Sequence, residues 1–380
     1  MTDYYKLALE KHQEYHWKLA VSSKVPLDTI EDLSTYYTPG VAEPCREIAK
    51  NPEEAYRYTW KQNSVAVVSD GSAVLGLGNI WWIAWLPVME GKALLFKKFA
   101  DIDAVPIVLS TQDPEIVIQT VQAIAPTFGG INLEDISAPN CFYIEEELKK
   151  TVNIPVFHDD QHGTAIVVLA WIINAYKITN RTFDNSKIVI SWAGSAGIAI
   201  AKLLHLYGAK NIVMLDSQWA IYKWRDGLNK YKEEVAEWNL ENKSGSLIDV
   251  LRWADVFVWV SKPDLLKAED IALMNEKSIV FALSNPVPEI MPDEAKKWWV
   301  YIMATGRSDF PNQVNNVLAF PGIFKAALTL RLAQIEDKHK IIAAETLANL
   351  VQNPNPEKII PSIFEEGLAD KIVEEIKKSL

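Results

Sequence analysis

The sequence has few cysteines, few glycines and no excess of basic residues, and each shortage narrows what the protein can be. Two cysteines, Cys45 and Cys141, cannot build a disulfide framework or a four-cysteine metal site, so we expect a reducing, cytoplasmic compartment. With 38 basic and 49 acidic residues, the net charge is −11. Nucleic acid is therefore not an expected partner, because binding phosphates requires basic contacts. Residues 1–19 carry scattered charges and lack the apolar core of a signal peptide.

Glycine is scarce and tryptophan is abundant. The 380 residues include 16 glycines and 14 tryptophans, whereas glycine usually contributes about 7% of a globular protein. The two deviations indicate tryptophans at positions where glycine is expected.

One long run, residues 71–89, has no charged residue. Its length alone is that of a membrane span. It contains three glycines, Asn79 and Pro87, and these favour a buried loop followed by a helix. We therefore expect no membrane association.

Short apolar runs alternate with segments of helical periodicity, which predicts an α/β protein with largely parallel sheets. The length favours two domains. The second half, residues 161–330, has the pattern of a Rossmann-like, doubly wound parallel sheet, and residues 331–380 form a helical extension. The predicted strands lie at residues 64–69, 104–110, 154–159, 187–191, 212–215, 256–260, 278–283 and 300–304.

Residues 187–204, KIVISWAGSAGIAIAKLL, predict a strand, a turn and a helix, the arrangement that seats a dinucleotide pyrophosphate. Gly194 and Gly197 fill the second and third places of a G-x-G-x-x-G turn, and Trp192 stands at the first. Asp216 ends the next strand, where a carboxylate binds ribose hydroxyls and favours NAD. The predicted cofactor residues here are Gly194, Ser195, Ala196, Gly197 and Asp216.

Acidic residues follow two predicted strands. Glu134 and Asp135 end the first, and Asp159 and Asp160 end the second. Carboxylates without nearby cysteine suit a hard divalent ion, Mg²⁺ or Mn²⁺. The alternative is that they cap helices, with Asp160 as an N-cap, and the pattern favours neither.

Two further residues are candidates for proton transfer. Tyr37 begins the turn-rich stretch YTPGVAEPC, and Lys92 follows a glycine at a predicted helix start. Desolvation beside the apolar run would lower the pKa of Lys92 toward that of a base. The alternative for Tyr37 is an ordinary half-buried aromatic residue. The alternative for Lys92 is a surface lysine, which the pattern alone favours.

Several stretches together resemble the small bacterial and archaeal malic enzymes, in order and spacing, over most of residues 12–330. They are YTPGVAEPCREIA (37–49), VVSDGSAVLGLGN (67–79), MEGKALLFK (89–97), NLEDI (132–136), VFHDDQHGTAIV (156–167), FALSNPVPEI (281–290) and ATGRSDFPNQVNNVLAFPG (304–322).

The resemblance implies an N-terminal substrate and metal domain at residues 1–160 before the NAD(P)-binding domain. It implies oxidative decarboxylation of malate with NAD or NADP and a divalent metal, in a homodimer. Its site residues would be Lys92 as base, Asp159 as its partner, Tyr37 as the acid, the metal ligands Glu134, Asp135 and Asp160, and the malate-binding amides Asn285 and Asn316, Asn285 also contacting the cofactor.

The departures from this family are tryptophans at expected glycines, including residues 81–82, 192, 219, 224, 253 and 259. They indicate an altered chain. We expect Trp192 to fill the cofactor groove, with Trp219 and Trp259 crowding the same crevice. The alternative function is therefore a folded scaffold that binds metal or an aromatic ligand but has little dehydrogenase activity.

Overall fold

Two β-sheets, one in each half of the chain, organise the structure, a computed structural model that describes residues 3–74, 77–80, 82–260, 268–284, 288–307 and 309–380. Its strands are β1 (Ser64–Ser69), β2 (Asp103–Val108), β3 (Gly130–Leu133), β4 (Val156–His158), β5 (Lys187–Ser191), β6 (Asn211–Asp216), β7 (Trp219–Ala220), β8 (Val256–Trp259), β9 (Ile279–Ala282) and β10 (Ile302–Thr305).

The first sheet has the order β2-β1-β3-β4, and its strands pair in parallel. The second has the order β10-β9-β8-β5-β6-β7 and is parallel except for the short β7. Strand order reverses beside β5, because β6 lies on one side of it and β8 on the other. Ligands of doubly wound sheets bind at such a switch point, outside the carboxyl ends of the strands.

Helices cover these sheets and link them. They are α1 (Tyr4–Tyr15), α2 (Ile30–Tyr36), α3 (Ala42–Lys50), α4 (Ala55–Tyr58), α5 (Leu86–Ala100), α6 (Pro114–Ile124), α7 (Asn140–Thr151), α8 (Asp159–Thr179), α9 (Ser195–Leu206), α10 (Lys230–Ala236), α11 (Leu247–Leu251), α12 (Pro292–Lys297), α13 (Phe320–Thr329), α14 (Asp337–Asn349) and α15 (Leu368–Lys378). In the described part of the chain, no helix is both long and apolar enough to cross a membrane.

The predicted α/β class with a Rossmann-like sheet is confirmed, and each predicted strand has an observed counterpart. One helical expectation needs correction, because the periodicity of residues 233–241 predicts a helix there and α10 ends at Ala236. The described part of the uncharged run at 71–89 has the expected order of a loop followed by a helix, since a 3-10 turn at Trp82–Trp85 leads into α5. Leu77 and Ile83 in this loop are exposed and not buried as expected.

The N-terminal segment lies outside the apolar core. Helices α1, α2 and α3 contain no buried residue. Large apolar side chains are nevertheless exposed along it, among them Tyr4, Leu9, Trp17 and Ile30. An apolar surface of this extent is typical of a segment that packs against another molecule.

Among the residues that the structure describes, five tryptophans have left-handed backbone conformations. Their φ values lie between +63° and +81°, and all five indoles are exposed. A side chain in this region costs roughly 1–2 kcal/mol, whereas glycine adopts it without that cost. The five are Trp192, Trp219, Trp224, Trp253 and Trp299.

Trp299 and its neighbour Trp298 form a matched pair that tests this strain. Trp299 has φ +64°, whereas Trp298 has φ −105°. We expect Trp299→Gly to raise the free energy of unfolding by about 0.5–1 kcal/mol, since it removes the left-handed strain. Trp298→Gly should lower it, because glycine only adds flexibility there. Urea unfolding measures both, and a loss of stability in Trp299→Gly would contradict the strain argument.

Candidate active site

Polar side chains lie together where three neighbouring strands of the first sheet end. Asp70 follows β1, Glu134 and Asp135 follow β3, and Asp159 and Asp160 follow β4. These strands are neighbours in one parallel sheet, so their carboxyl ends lie side by side. The carboxylates predicted as site residues are therefore brought to one edge.

Lys92, on α5, lies inside this acidic group. Its Nζ is 2.5 Å from Asp159 Oδ2 and 2.7 Å from Glu134 Oε1. It also sits 4.3 Å above the centre of the Phe320 ring. Its side chain is only 10% exposed, so the expectation of a surface lysine is wrong.

The charge state of Lys92 differs from the prediction. Burial alone would lower the pKa of Lys92, but the negative charges of Asp159 and Glu134 outweigh it and raise the pKa above its ordinary value. The prediction of a lowered pKa considered desolvation alone and is wrong for this arrangement. Lys92 is consequently a cation at neutral pH.

The neighbouring carboxylates repel one another. Burial raises the pKa of Glu134 to about 8, with Asp160 and Asp159 adding to the effect while Lys92 opposes it. Burial, followed by the charge of Asp160, also raises the pKa of Asp135 well above its usual value. The single charge of Lys92 therefore does not balance the negative charge that these carboxylates can carry.

The donor set suits a hard divalent cation by its chemistry. Glu134, Asp135 and Asp160 offer carboxylate oxygens, and Asp159 Oδ1 is buried without a hydrogen-bond partner among the described residues. In the part of the chain that the structure describes, however, no three acidic, histidine or cysteine side chains converge as a ready metal site. Binding would require these side chains to close together.

Asp160 does not cap the helix, so that alternative is wrong. Helix α8 begins at Asp159, and its N-cap residue is His158. The Asp160 carboxylate instead accepts a hydrogen bond of 2.7 Å from the Asp135 backbone amide. Asp135 has φ +53°, a left-handed conformation that a non-glycine residue adopts at some cost. The bond links the ends of β3 and β4.

Asn316 reaches this group from the second half of the chain. Its Nδ2 donates to Asp159 Oδ2 over 3.1 Å, and its Oδ1 accepts from the Thr164 hydroxyl at 3.1 Å. Gly163 makes room for the Asp159 carboxylate, since a β-carbon there would lie 2.0 Å from Asp159 Oδ1. The predicted Asn285 lies outside the described residues.

Tyr37 stands apart from the lysine cluster. It follows α2 as the C-cap residue, and 67% of its surface is exposed. Within the described part of the chain, its hydroxyl has no hydrogen-bond partner. A single chain therefore does not hold Tyr37 in an enclosed site.

The predicted dinucleotide turn connects β5 to α9. Gly194 is the N-cap of α9, and no side chain among the described residues caps the helix, so its first amides are available to a phosphate. Gly197 is required sterically, because a β-carbon there would lie 2.1 Å from the Trp192 carbonyl oxygen. Ser195 and Ala196 complete this first turn.

Trp192 has φ +81°, the left-handed conformation that its glycine-like position predicts. Its indole lies against the turn, since a β-carbon placed on Gly194 would be 2.9 Å from Trp192 Cδ1 and 3.1 Å from Nε1. The indole is 44% exposed. It therefore stands at the entrance to the phosphate position.

Trp259 does not share that crevice, and the prediction that it faces the groove is wrong. It is fully buried in an apolar cluster, with its ring 5.3 Å from that of Phe257. Alternate residues of a strand point to the same face, and this places Trp259 beside Phe257 in the core. Trp219 lies on β7 and is exposed.

Asp216 ends β6, as predicted, but its carboxylate is already engaged. Arg225 Nη2 lies 2.5 Å and Lys232 Nζ 2.6 Å from Oδ2. Burial would raise the pKa of Asp216, but hydrogen bonds from Arg225 and Lys232 outweigh it and lower the pKa to about 2.

A buried ion pair behind the site was not predicted from the sequence. His162 Nε2 lies 2.8 Å from Glu145 Oε2, and Glu145 Oε1 accepts from the His158 amide at 3.2 Å. Both contacts fix the start of α8, which carries Asp159 and Asp160. The HDDQHGT string contains His162, but nothing in the sequence marks Glu145 on α7 as its partner.

A glycine turn at the switch point of a Rossmann-like sheet is typical of nucleotide-dependent dehydrogenases, and here a lysine–carboxylate cluster lies at the edge of the other sheet. Residues 16–149 match the malic enzyme N-terminal domain, and residues 161–378 match the malic enzyme NAD binding domain. The chain therefore belongs to the malic enzyme family.

Individual relatives agree with this assignment. The bifunctional malic/malolactic enzyme of Bacillus subtilis is 52% identical over 98% of this chain and 92% of its own length. The NADP-dependent malic enzyme of Halomonas elongata is 48% identical over 93% of this chain and 83% of its own length. The structure of the NAD-dependent malic enzyme from Thermotoga maritima has a TM-score of 0.94 at 48% identity, covering 97% of this chain and 98% of that one.

Removing the charge of Lys92 should destabilise the fold strongly. Lys92→Met leaves Glu134 and Asp159 buried without their cation, and breaking such a pair costs about 3–5 kcal/mol. The matched control is Lys97→Met on the same helix, whose ion pairs with Asp101 and Asp103 are half exposed and contribute about 1 kcal/mol or less. Chemical unfolding of both variants gives the two values.

The double variant Lys92→Met/Asp159→Asn should recover part of the loss, because it also removes the carboxylate charge that lies nearest to Lys92 Nζ. Equal stability of Lys92→Met and Lys97→Met would show that the cluster is not a buried ion pair in solution.

Proposed function

We propose that this chain catalyses the oxidative decarboxylation of (S)-malate to pyruvate and CO₂, with NAD or NADP as electron acceptor and Mg²⁺ or Mn²⁺ as the required metal. One observation carries the proposal. Lys92 lies between two buried carboxylates and beside Asn316, in a chain of the malic enzyme family.

Lys92 is the proposed base for the C2 hydroxyl of malate, while the nicotinamide accepts the hydrogen and two electrons from C2. A base must be neutral, yet nearby carboxylates raise the pKa of Lys92. Those carboxylates include the proposed metal ligands. A divalent cation shared among them would offset their charge and lower the pKa of Lys92. Asp159 lies 2.5 Å from Nζ and is placed to receive the proton that Lys92 gives up.

Decarboxylation and proton return complete the reaction. The metal, bound by Glu134, Asp135 and Asp160, would polarise the C2 oxygen and stabilise the enolate left when CO₂ departs from C3. Tyr37 is the proposed acid that returns a proton to C3. Asn316, together with Asn285, is proposed to hold malate, and the Asn316 side chain already contacts Asp159.

A homodimer is part of the proposal. Tyr37 is exposed in one chain, and apolar side chains are exposed along the N-terminal segment before it. Burial of this segment against a second copy would remove apolar area from water. It would also give Tyr37 the enclosed setting that proton transfer requires.

A second candidate function follows from Trp192. Its indole lies against Gly194, where a pyrophosphate would approach α9. The lysine–carboxylate cluster belongs to the other sheet and does not depend on this turn. The alternative is therefore a folded protein that binds metal and malate but binds the dinucleotide weakly and oxidises malate slowly.

The metal requirement supplies the first test. We expect Mn²⁺ to raise the melting temperature saturably, because a ligand of the native state stabilises it, by about 2.7 kcal/mol at one hundred times its Kd. Malate-dependent formation of the reduced cofactor should require the same metal. Asp160→Asn should lose both effects, whereas Asp293→Asn, an exposed acid on α12, should keep them. If the metal-induced shift persisted in Asp160→Asn, the metal would bind at another site.

Removing the indole decides between the two candidates. If Trp192 obstructs the turn, Trp192→Gly should tighten NAD binding about tenfold or more, since each 1.4 kcal/mol of relieved clash is about a factor of ten. Trp253→Gly is the matched control, because Trp253 has φ +63° but precedes β8, at the opposite end of the parallel strands from the turn. Isothermal titration of NAD into the parent and both variants gives the affinities. Weaker binding by Trp192→Gly would mean that the indole contacts the cofactor favourably.

A further inference from the structure

The ribose end of the cofactor site has an unusual charge balance. Asp216 is the last residue of β6, and Trp192 follows the last residue of the neighbouring β5, whose Ser191 pairs in register with Leu215. In this fold the adenosine ribose lies between the glycine turn and the end of the second strand. The side chains around Asp216 would therefore face the 2′ position of a bound ribose.

The oxygens of Asp216 have no free acceptor site for a ribose hydroxyl. Oδ1 accepts from the Gln218 amide at 2.9 Å and from Arg225 Nη1 at 3.0 Å. Oδ2 accepts from Arg225 Nη2 at 2.5 Å and from Lys232 Nζ at 2.6 Å. A carboxylate offers about four lone-pair sites, so these four bonds use them all.

Two cations against one carboxylate leave a positive charge at this position. Arg225 is buried and also donates Nη1 to the carbonyl groups of Trp219 and Ala220, which fixes its guanidinium in place. Its Nε is buried and has no hydrogen-bond partner among the described residues. The Lys232 side chain is 23% exposed and can therefore be reached from solvent.

We propose that this end of the site recognises a 2′-phosphate, so that the chain uses NADP in preference to NAD, with Lys232 as the specificity-determining residue, Arg225 behind it and Asp216 positioning both. The inference rests on the proposed function for the identity of the site. It reverses the expectation that Asp216 selects NAD, because a carboxylate with both oxygens occupied can neither accept the 2′-hydroxyl nor repel a phosphate effectively.

The test uses two ligands that differ only in the 2′-phosphate, adenosine 2′,5′-bisphosphate and adenosine 5′-monophosphate. Titration calorimetry is carried out on the parent and on Trp192→Gly, so that an obstructed turn cannot hide the result. We expect the bisphosphate to bind at least roughly tenfold tighter than the monophosphate. Equal binding of the two ligands, tighter binding of the monophosphate, or binding of neither would overturn the inference.

Three variants in the Trp192→Gly background assign the residues. Lys232→Gln should remove most of the preference, whereas Lys223→Gln, a nearby lysine paired with Glu237, should keep it. Asp216→Asn should increase the preference because it frees both cations. If Asp216 were instead the hydroxyl acceptor, Asp216→Asn would weaken binding of the monophosphate, and that result would contradict the proposal.

The outcome is separable from the proposed function, since neither ligand undergoes reaction. A protein that prefers the bisphosphate but does not oxidise malate would keep this inference and refute the malic enzyme activity. A protein that oxidises malate more efficiently with NAD than with NADP would support the malic enzyme activity and refute this inference.

Discussion

A buried lysine cation holds together the edge of the first sheet where the chemistry is proposed. Lys92 contacts Glu134, which follows β3, and Asp159, which follows β4. Burial, and then the charges of Asp160 and Asp159, raise the pKa of Glu134, and Lys92 opposes this rise. A charge that is costly to bury persists only where opposite charges surround it. Helix α5, which carries Lys92, and the ends of two strands are therefore mutually dependent.

The sequence predicted the α/β alternation and placed Glu134 and Asp159 at strand ends, because both follow from local pattern. It did not predict that these ends meet, since that depends on β3 and β4 being neighbours in one parallel sheet. The charge state of Lys92 could not be predicted from the local sequence pattern. It depends on two distances across the fold, and the desolvation argument gave the wrong direction. The helix-capping alternative for Asp160 failed for the same reason, since its partner is the Asp135 amide.

For the tryptophans, the backbone conformation could be predicted from the sequence, whereas the direction of the side chain could not. A glycine-like position predicts a left-handed backbone, and Trp192 has one. The direction of an indole depends on the element that carries it. Trp259 was assigned to the groove from its place near a strand end, yet strand alternation points it to the same side as Phe257, into the core.

Helix α8 joins the two functional regions without making one depend on the other. It begins with Asp159 in the lysine cluster and packs against α9, which begins at the dinucleotide turn. The buried pair of His162 and Glu145 fixes the start of α8 from the side of α7, independently of Trp192. An indole that closes the turn therefore acts on cofactor binding and leaves the carboxylates and Lys92 in place. Steps that need only metal, base and acid, such as decarboxylation of a preformed keto acid, are then less sensitive to Trp192 than the transfer of electrons to the dinucleotide.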